Sequence, residues 1–144
     1  MIVYIDASAL VKRYIKESGS PEVNDLFAEA ASMLTNLISR AEVSAAIMRA
    51  ARTGIIEQDA AERVLQKFRS EWENYQRLPV TEATVARANA IVSEYDLRGY
   101  DAVHLAAAML WQEAIGIPVT LATFDSKLWE AAQQAGLDVW PNKP

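Results

Sequence analysis

Residues 101–114 constrain the fold more than any other segment of this chain. Ala102, Val103, Leu105, Ala106, Ala107, Ala108, Met109, Leu110 and Trp111 leave almost no polar face on the helix that this stretch predicts, and Gly116 ends it. A helix apolar nearly all round is central and buried. The run is too short to span a membrane. The other elements must therefore pack around it.

Those elements alternate. Ile2-Val3-Tyr4-Ile5 reads as a short buried strand of β-branched and aromatic residues. Further strands are expected over residues 33–36, 119–123 and 137–140, and a short one over 78–80 around Pro79. Helices are expected over residues 9–17, 20–31, 37–53, 59–76, 82–95 and 126–135. Ser20 reads as a cap with Pro21 at the first helical position. Gly54 and Gly136 read as terminators. The clearest amphipathic stripe is Ala61, Val64, Leu65, Phe68, Trp72 and Tyr75, a core face by its spacing, with Trp72 and Tyr75 able to anchor an interface. Short strands alternating with helices imply an α/β fold with a parallel sheet covered on both faces. Residues 37–94 read as an inserted helical layer, and no linker or repeat divides residues 1–144 into more than one domain.

Composition narrows the chemistry. The 144 residues include no cysteine, which excludes disulfides, thiolate zinc sites and cysteine nucleophiles and points to a reducing, cytoplasmic setting. His104 is the only histidine, so a two-histidine metal site is excluded. The first residues reach Asp6 too early for a signal peptide. A net charge of −5 argues against broad, salt-driven binding to nucleic acid. It permits an enzyme whose acids gather at a metal site, where a bound divalent ion reverses the local sign.

Four acids are placed to gather: Asp6, Glu42, Asp101 and Asp125. Asp6 follows the first strand and Asp125 follows the strand over residues 119–123. In open α/β sheets, ligands bind beyond the carboxyl ends of the strands. Asp101 opens the buried helix, where the helix dipole favours an ionised carboxylate. Glu42 has Ile38 four residues before it and Ala45 and Ala46 after it, which puts it on or beside the packed face of its helix. Each aspartate also has a plain reading as an N-cap, and Glu42 as a partly exposed helix residue. Together they form a cluster that repels itself unless a cation is bound. Mg²⁺ or Mn²⁺ suits such oxygen ligands.

Neighbouring residues could support the cluster. Ser8 lies two after Asp6 and Thr123 two before Asp125, so either hydroxyl could hold a carboxylate or a bound water. Arg98, Arg49, Arg52 and Lys12 are candidate phosphate contacts, Arg98 being the best placed, three before Asp101. His104, one turn into the apolar helix, reads as a satisfied core histidine rather than a ligand.

Four stretches occur in order: Tyr4-Ile5-Asp6-Ala7-Ser8-Ala9-Leu10, Ser39-Arg40-Ala41-Glu42-Val43-Ser44-Ala45-Ala46, Leu97-Arg98-Gly99-Tyr100-Asp101-Ala102-Val103-His104-Leu105-Ala106-Ala107-Ala108, and Leu121-Ala122-Thr123-Phe124-Asp125-Ser126-Lys127-Leu128. Together they resemble a PIN domain, specifically a VapC-type toxin of a prokaryotic toxin–antitoxin pair. The resemblance implies a three-layer α/β/α sandwich with a short-stranded, mostly parallel central sheet and a helical clip. It implies metal ligands at Asp6, Glu42, Asp101 and Asp125, an Mg²⁺ or Mn²⁺ cofactor, and RNA as substrate. It also implies a homodimer, and a cognate VapB-like antitoxin that can present an arginine to the acids, in a higher assembly.

The chemistry agrees with that resemblance. One divalent ion, or two roughly 3.5–4 Å apart, lowers the pKa of water and stabilises a leaving oxygen. Asp101 is the choice for orienting or deprotonating the attacking water. The resemblance adds products with a 3′-hydroxyl and a 5′-phosphate. Two alternatives compete: an α/β metal-dependent phosphatase, and a non-catalytic RNA-binding or scaffold protein. A haloacid-dehalogenase-like phosphatase would want an aspartate where Ser8 stands.

Overall fold

The computed structural model describes residues 1–144. Its sheet has five parallel strands, β1 (Ile2–Ile5), β2 (Ser32–Asn36), β3 (Gln76–Leu78), β4 (Val119–Ala122) and β5 (Asp138–Trp140), in the order β3-β2-β1-β4-β5. Parallel neighbours need crossovers, and helices supply them. These are α1 (Ala7–Leu10), α2 (Ser20–Glu29), α3 (Ser39–Arg52), α4 (Gln58–Glu71), α5 (Glu82–Glu94), α6 (Gly99–Ile115) and α7 (Ser126–Gln134).

Alternation along β1 sets up two cores. Val3 and Ile5 pack on one face with Leu10, Val43, Ile47, Phe68 and Trp72, from α1, α3, α4 and the turn after α4. Tyr4 packs on the other face with Leu34, Ile91, Leu105, Leu121 and Leu128. Successive strand side chains point to opposite faces, so a four-residue strand serves both. The expected α/β/α sandwich results. The apolar helix is α6, buried through Ala102 and His104 to Ala108. Burying a side chain such as Leu105 completely contributes about 1.5–3 kcal/mol.

Several local expectations are corrected. Residues 37–94 are not one inserted layer: α3 and α4 pack on one face of the sheet and α5 on the other, with β3 between them. The helix expected over 9–17 stops at Leu10 and tightens into a 3₁₀ turn at Val11–Arg13. Tyr14 then lies buried, its hydroxyl donating to Glu71 Oε2 at 2.7 Å and accepting from Tyr75. The helix over 59–76 stops at Glu71, and the third strand is Gln76–Leu78 rather than 78–80. Gly19, not Ser20, is the cap residue of α2. Its φ of +90° is open to glycine, and a Cβ there would sit 2.7 Å from the Phe124 ring. Ser20 instead donates to Ile15 O and accepts from Glu17 N–H.

The strand order places the functional edge. β2 and β4 flank β1 on opposite sides. Strand order therefore reverses at β1 and β4, and their carboxyl ends form the crevice where open α/β sheets bind ligands.

Candidate active site at the β1–β4 switch point

Asp6 is built into this crevice by two backbone events. Its own N–H still pairs with Ala122 O at 3.1 Å, as an extension of the sheet, and α1 starts at the next residue. Its Oδ1 accepts from Ala9 N at 2.9 Å, so Asp6 is an N-cap as well as a site residue. Ser8 Oγ donates at 2.7 Å to Oδ1 and stands 2.9 Å from Oδ2, and Thr123 Oγ1 donates to Oδ2 at 2.7 Å. A carboxylate has about four lone-pair positions, so acceptor capacity remains. Asp6 is only 3% exposed. Burial pushes its pKa up against the opposing effects of the His104 charge and the hydrogen bonds from Thr123, Ala9 and Ser8.

Ser8 and Thr123 join the two strand ends. Ser8 Oγ accepts from Phe124 N–H at 3.0 Å, and Thr123 Oγ1 accepts from Asp125 N–H at 3.0 Å. Each hydroxyl gives its proton to Asp6 and its oxygen to the β4–α7 turn. That turn carries Asp125, which caps α7 through Oδ1 to Leu128 N at 2.9 Å.

Glu42 arrives from the first turn of α3, held by a residue read from sequence as plain core. His104 is 1% exposed and its Nε2 lies 2.7 Å from Glu42 Oε1. Its Nδ1 lies 2.8 Å from the Tyr4 hydroxyl. With the Nε2 proton donated to Glu42, Nδ1 accepts the Tyr4 O–H, and both ring nitrogens are satisfied. Burial alone would lower the His104 pKa. The Glu42 hydrogen bond and the charges of Asp6, Glu42 and Asp101 outweigh it and hold the pKa above the ordinary histidine value. Burial, then the charges of Asp6 and Glu42, drive the Tyr4 pKa well up, so this residue stays a neutral donor.

Asp101 is not a cap. α6 starts at Gly99, with Arg98 in the cap position, and Asp101 lies in the first turn. Its side chain is 14% exposed and accepts from Arg98 Nε at 3.1 Å. Arg98 Nη2 lies 3.9 Å from Asp125 Oδ2, so one guanidinium spans two of the four acids. Beside it opens a cleft of about 390 Å³ lined by Asp96, Leu97, Arg98, Asp101, Asp125 and Lys127. Lys127, which sequence reasoning missed, donates to Asp96 at 2.8 Å. Its signal was its place two residues after Asp125, at the start of a helix that must face the same edge.

The structure does not bring the other cations to the acids. Arg49 and Arg52 are in the last turn of α3, at the far end from Glu42. Lys12 pairs with Glu17 at 3.1 Å and Ser18 O at 2.8 Å, with its ammonium over the Phe124 ring.

The donor set suits a hard cation. Asp6, Glu42, Asp101 and Asp125 offer only oxygen, and both nitrogens of the sole imidazole are engaged. No three acid or imidazole groups converge closely enough to cage an ion as they stand. Asn36 Nδ2, at the carboxyl end of β2, is buried without a protein partner. Asn36 Oδ1 accepts from Ile38 N–H at 3.0 Å, which fixes the amide orientation and leaves the donor unpaired. A buried donor of this kind is ordinarily satisfied by an ordered water.

Known proteins share this architecture. Residues 3–134 match the PIN domain family. The chain is 33% identical to Ribonuclease VapC45 of Mycobacterium tuberculosis over 145 residues, covering 97% of this chain and 95% of the relative. Among solved structures, FitAcB from Neisseria gonorrhoeae aligns with a TM-score of 0.69 at 17% identity, covering 97% of each chain. A toxin–antitoxin complex from Klebsiella pneumoniae aligns with a TM-score of 0.64 at 20% identity, covering 88% of this chain and 89% of that one. Those two likenesses speak for the fold. The sequence match carries more: this chain belongs to the PIN domain family and, within it, to the VapC type.

Proposed function

We propose that this protein is an Mg²⁺- or Mn²⁺-dependent endoribonuclease, a VapC-type toxin neutralised by a cognate VapB-like antitoxin. The observation that carries the reading is the position of Asp6. It is a buried carboxylate at the β1–β4 switch point, and two hydroxyls tie it to the turn that bears Asp125. The relative named a VapC ribonuclease supports RNA as substrate. The likeness to a toxin–antitoxin complex supports the antitoxin.

Asp6, Glu42, Asp101 and Asp125 would hold the ion. When bound, it supplies Lewis acidity and a lowered pKa for water at the scissile phosphate. Ser8 and Thr123 fix the Asp6 carboxylate, and Thr123 also fixes the backbone under Asp125. His104 aims Glu42. Asp101 orients or deprotonates the attacking water. Arg98 and Lys127 line the cleft that would receive the RNA backbone, where cations position phosphates without reading bases.

Residues 1–144 would act as one domain in the cytoplasm. No helix is long and apolar enough to cross a membrane. A homodimer goes with it, and the groove between α5 and α6, where Val85, Val92 and Tyr100 are exposed in the single chain, is the face offered to a second copy. The test is incubation of the antitoxin-free chain with cellular RNA, in Mn²⁺, in Mg²⁺ and in chelator, beside Asp6→Asn. Cuts that need both the metal and Asp6 are the expected result. Cuts that persist in chelator or in the variant would overturn it.

A further inference from the structure

Two acids of the cluster share one cation from their own chain. Asp101 stands in the first turn of α6 and Asp125 in the turn after β4, and no cation other than Arg98 lies within ion-pair reach of either. The Arg98 side chain reaches both from the cap position of α6, where its backbone is extended. The charge requirement is uneven. The Asp101 side chain is 14% exposed, so its charge needs a partner, whereas Arg98 is 81% exposed and anchored to nothing else. Its withdrawal would uncover no core. The second contact, at 3.9 Å, is long for a hydrogen bond and is held by charge alone. A guanidinium so placed is a substitutable occupant: a smaller, doubly charged ion bound by the same oxygens would satisfy both acids better.

The adjoining cleft gives the displaced side chain a destination. It is lined by Arg98 and Lys127, and Lys127 is paired only with the exposed Asp96. An arginine fork suits a phosphate as well as it suits carboxylates.

We propose that Arg98 is an exchangeable counter-cation: it neutralises Asp101 and Asp125 until a divalent ion displaces it, and the freed guanidinium then binds an RNA phosphate in the adjoining cleft. The inference rests on the metal-dependent nuclease reading above. It makes metal and RNA binding cooperative, because the ion that takes the acids releases the group that holds the phosphate, and such coupling is reciprocal.

The test is calorimetric titration of Mn²⁺ into the metal-stripped full chain, wild type and Arg98→Gln, with the KM for RNA measured on both. Removing the competitor raises Mn²⁺ affinity by about fivefold or more, while losing the phosphate contact raises KM by a similar factor. Arg98→Lys keeps the charge without the fork and falls between them on both readouts. Equal or weaker Mn²⁺ affinity in Arg98→Gln overturns the exchange, as does an unchanged KM. Absence of Mn²⁺ binding in both proteins would instead remove the metal-dependent reading, and this inference with it.

Discussion

His104 joins Glu42 across 2.7 Å from a position almost closed to solvent, and Tyr4 fixes the other ring nitrogen from beneath. A carboxylate on the first turn of a helix has several rotamers open to it, and this relay selects one. His104→Leu unpairs both Glu42 and Tyr4. Removing an outer partner of a metal-holding group costs about 10–100-fold in metal affinity or activity, and that loss is expected here with the far-UV spectrum unchanged. His104→Gln offers a donor and an acceptor in its place and should recover part of it. Tyr4→Phe leaves Nδ1 unpaired in the core, costs about 1–3 kcal/mol of stability, and should affect cleavage less. A Tyr4→Phe protein as inactive as His104→Leu would show that the ring orientation, not the Glu42 bond, is what matters.

Asp6 and Asp101 should respond differently to the same substitution. The folded pKa of Asp6 is raised by burial. The stability tied to its neutral form is therefore fully present below about pH 3.9 and is lost as pH rises through the folded value. Asp6→Asn keeps a neutral side chain at every pH and can still cap α1. In chelator near neutral pH it should stabilise the protein by about 1 kcal/mol, a rise in Tm of roughly 3–5 °C, while cleavage is abolished. Like-charge repulsion within the cluster predicts the same gain for Asp101→Asn. The Arg98 contact reverses that, because the variant loses an ion pair and an acidic residue in a first helical turn. Asp101→Asn should thus be unchanged or about 0.5 kcal/mol less stable. Thermal melts of both variants in chelator decide the matter.

The contrast between Asp101 and Glu42 shows how far sequence reaches. The apolar run of α6 reveals that a buried helix exists, and the acids after β1 and β4 reveal which edge they face, because strand periodicity and chain order are local. Asp101 is expected to open its helix, but the helix starts at Gly99, two residues earlier, and the partner of Asp101 is a neighbouring side chain rather than a backbone N–H. The role of His104 depends on Tyr4 and Glu42, which lie 100 and 62 residues away in sequence. No periodicity encodes that meeting. β3 escaped its expected register because it is a polar edge strand whose position is set by pairing with β2, Leu34 to Gln76.

Tyr14 and Tyr75, on the α3–α4 face of the sheet, should add to the alkaline instability that buried Tyr4 also brings. Burial raises the pKa of Tyr14 far above that of a free tyrosine, and the Tyr75 and Glu71 contacts add to it; burial raises Tyr75 as well. Both folded values lie above the unfolded one, so the stability they contribute is complete below about pH 10 and declines as pH rises beyond it. Melting temperature should fall steeply in that range, and before unfolding begins the wild type should show no more tyrosinate absorbance than Tyr14→Phe. Tyr14→Phe should flatten the decline. A tyrosinate signal of the intact fold near pH 10 that Tyr14→Phe removes would contradict the assignment.

Gly19 tests whether the packing behind Asp125 matters to the site. Its φ of +90° disfavours any side chain, and a Cβ would press within 2.7 Å of the Phe124 ring. Gly19→Ala should therefore cost about 1–3 kcal/mol from backbone strain, with a further loss from displacing the ring. Phe124 stacks edge-on against Trp140 and donates its backbone N–H to Ser8, so it cannot move freely. Ser8 in turn donates to Asp6. A ring pushed outward drags on the turn that positions both acids, and cleavage at a temperature where the variant is fully folded should fall by more than its stability loss explains. Phe124→Leu in the Gly19→Ala background relieves the clash but not the strained φ. It should restore cleavage while leaving most of the stability deficit, whereas recovery of neither would place the whole effect in the backbone of the loop before α2.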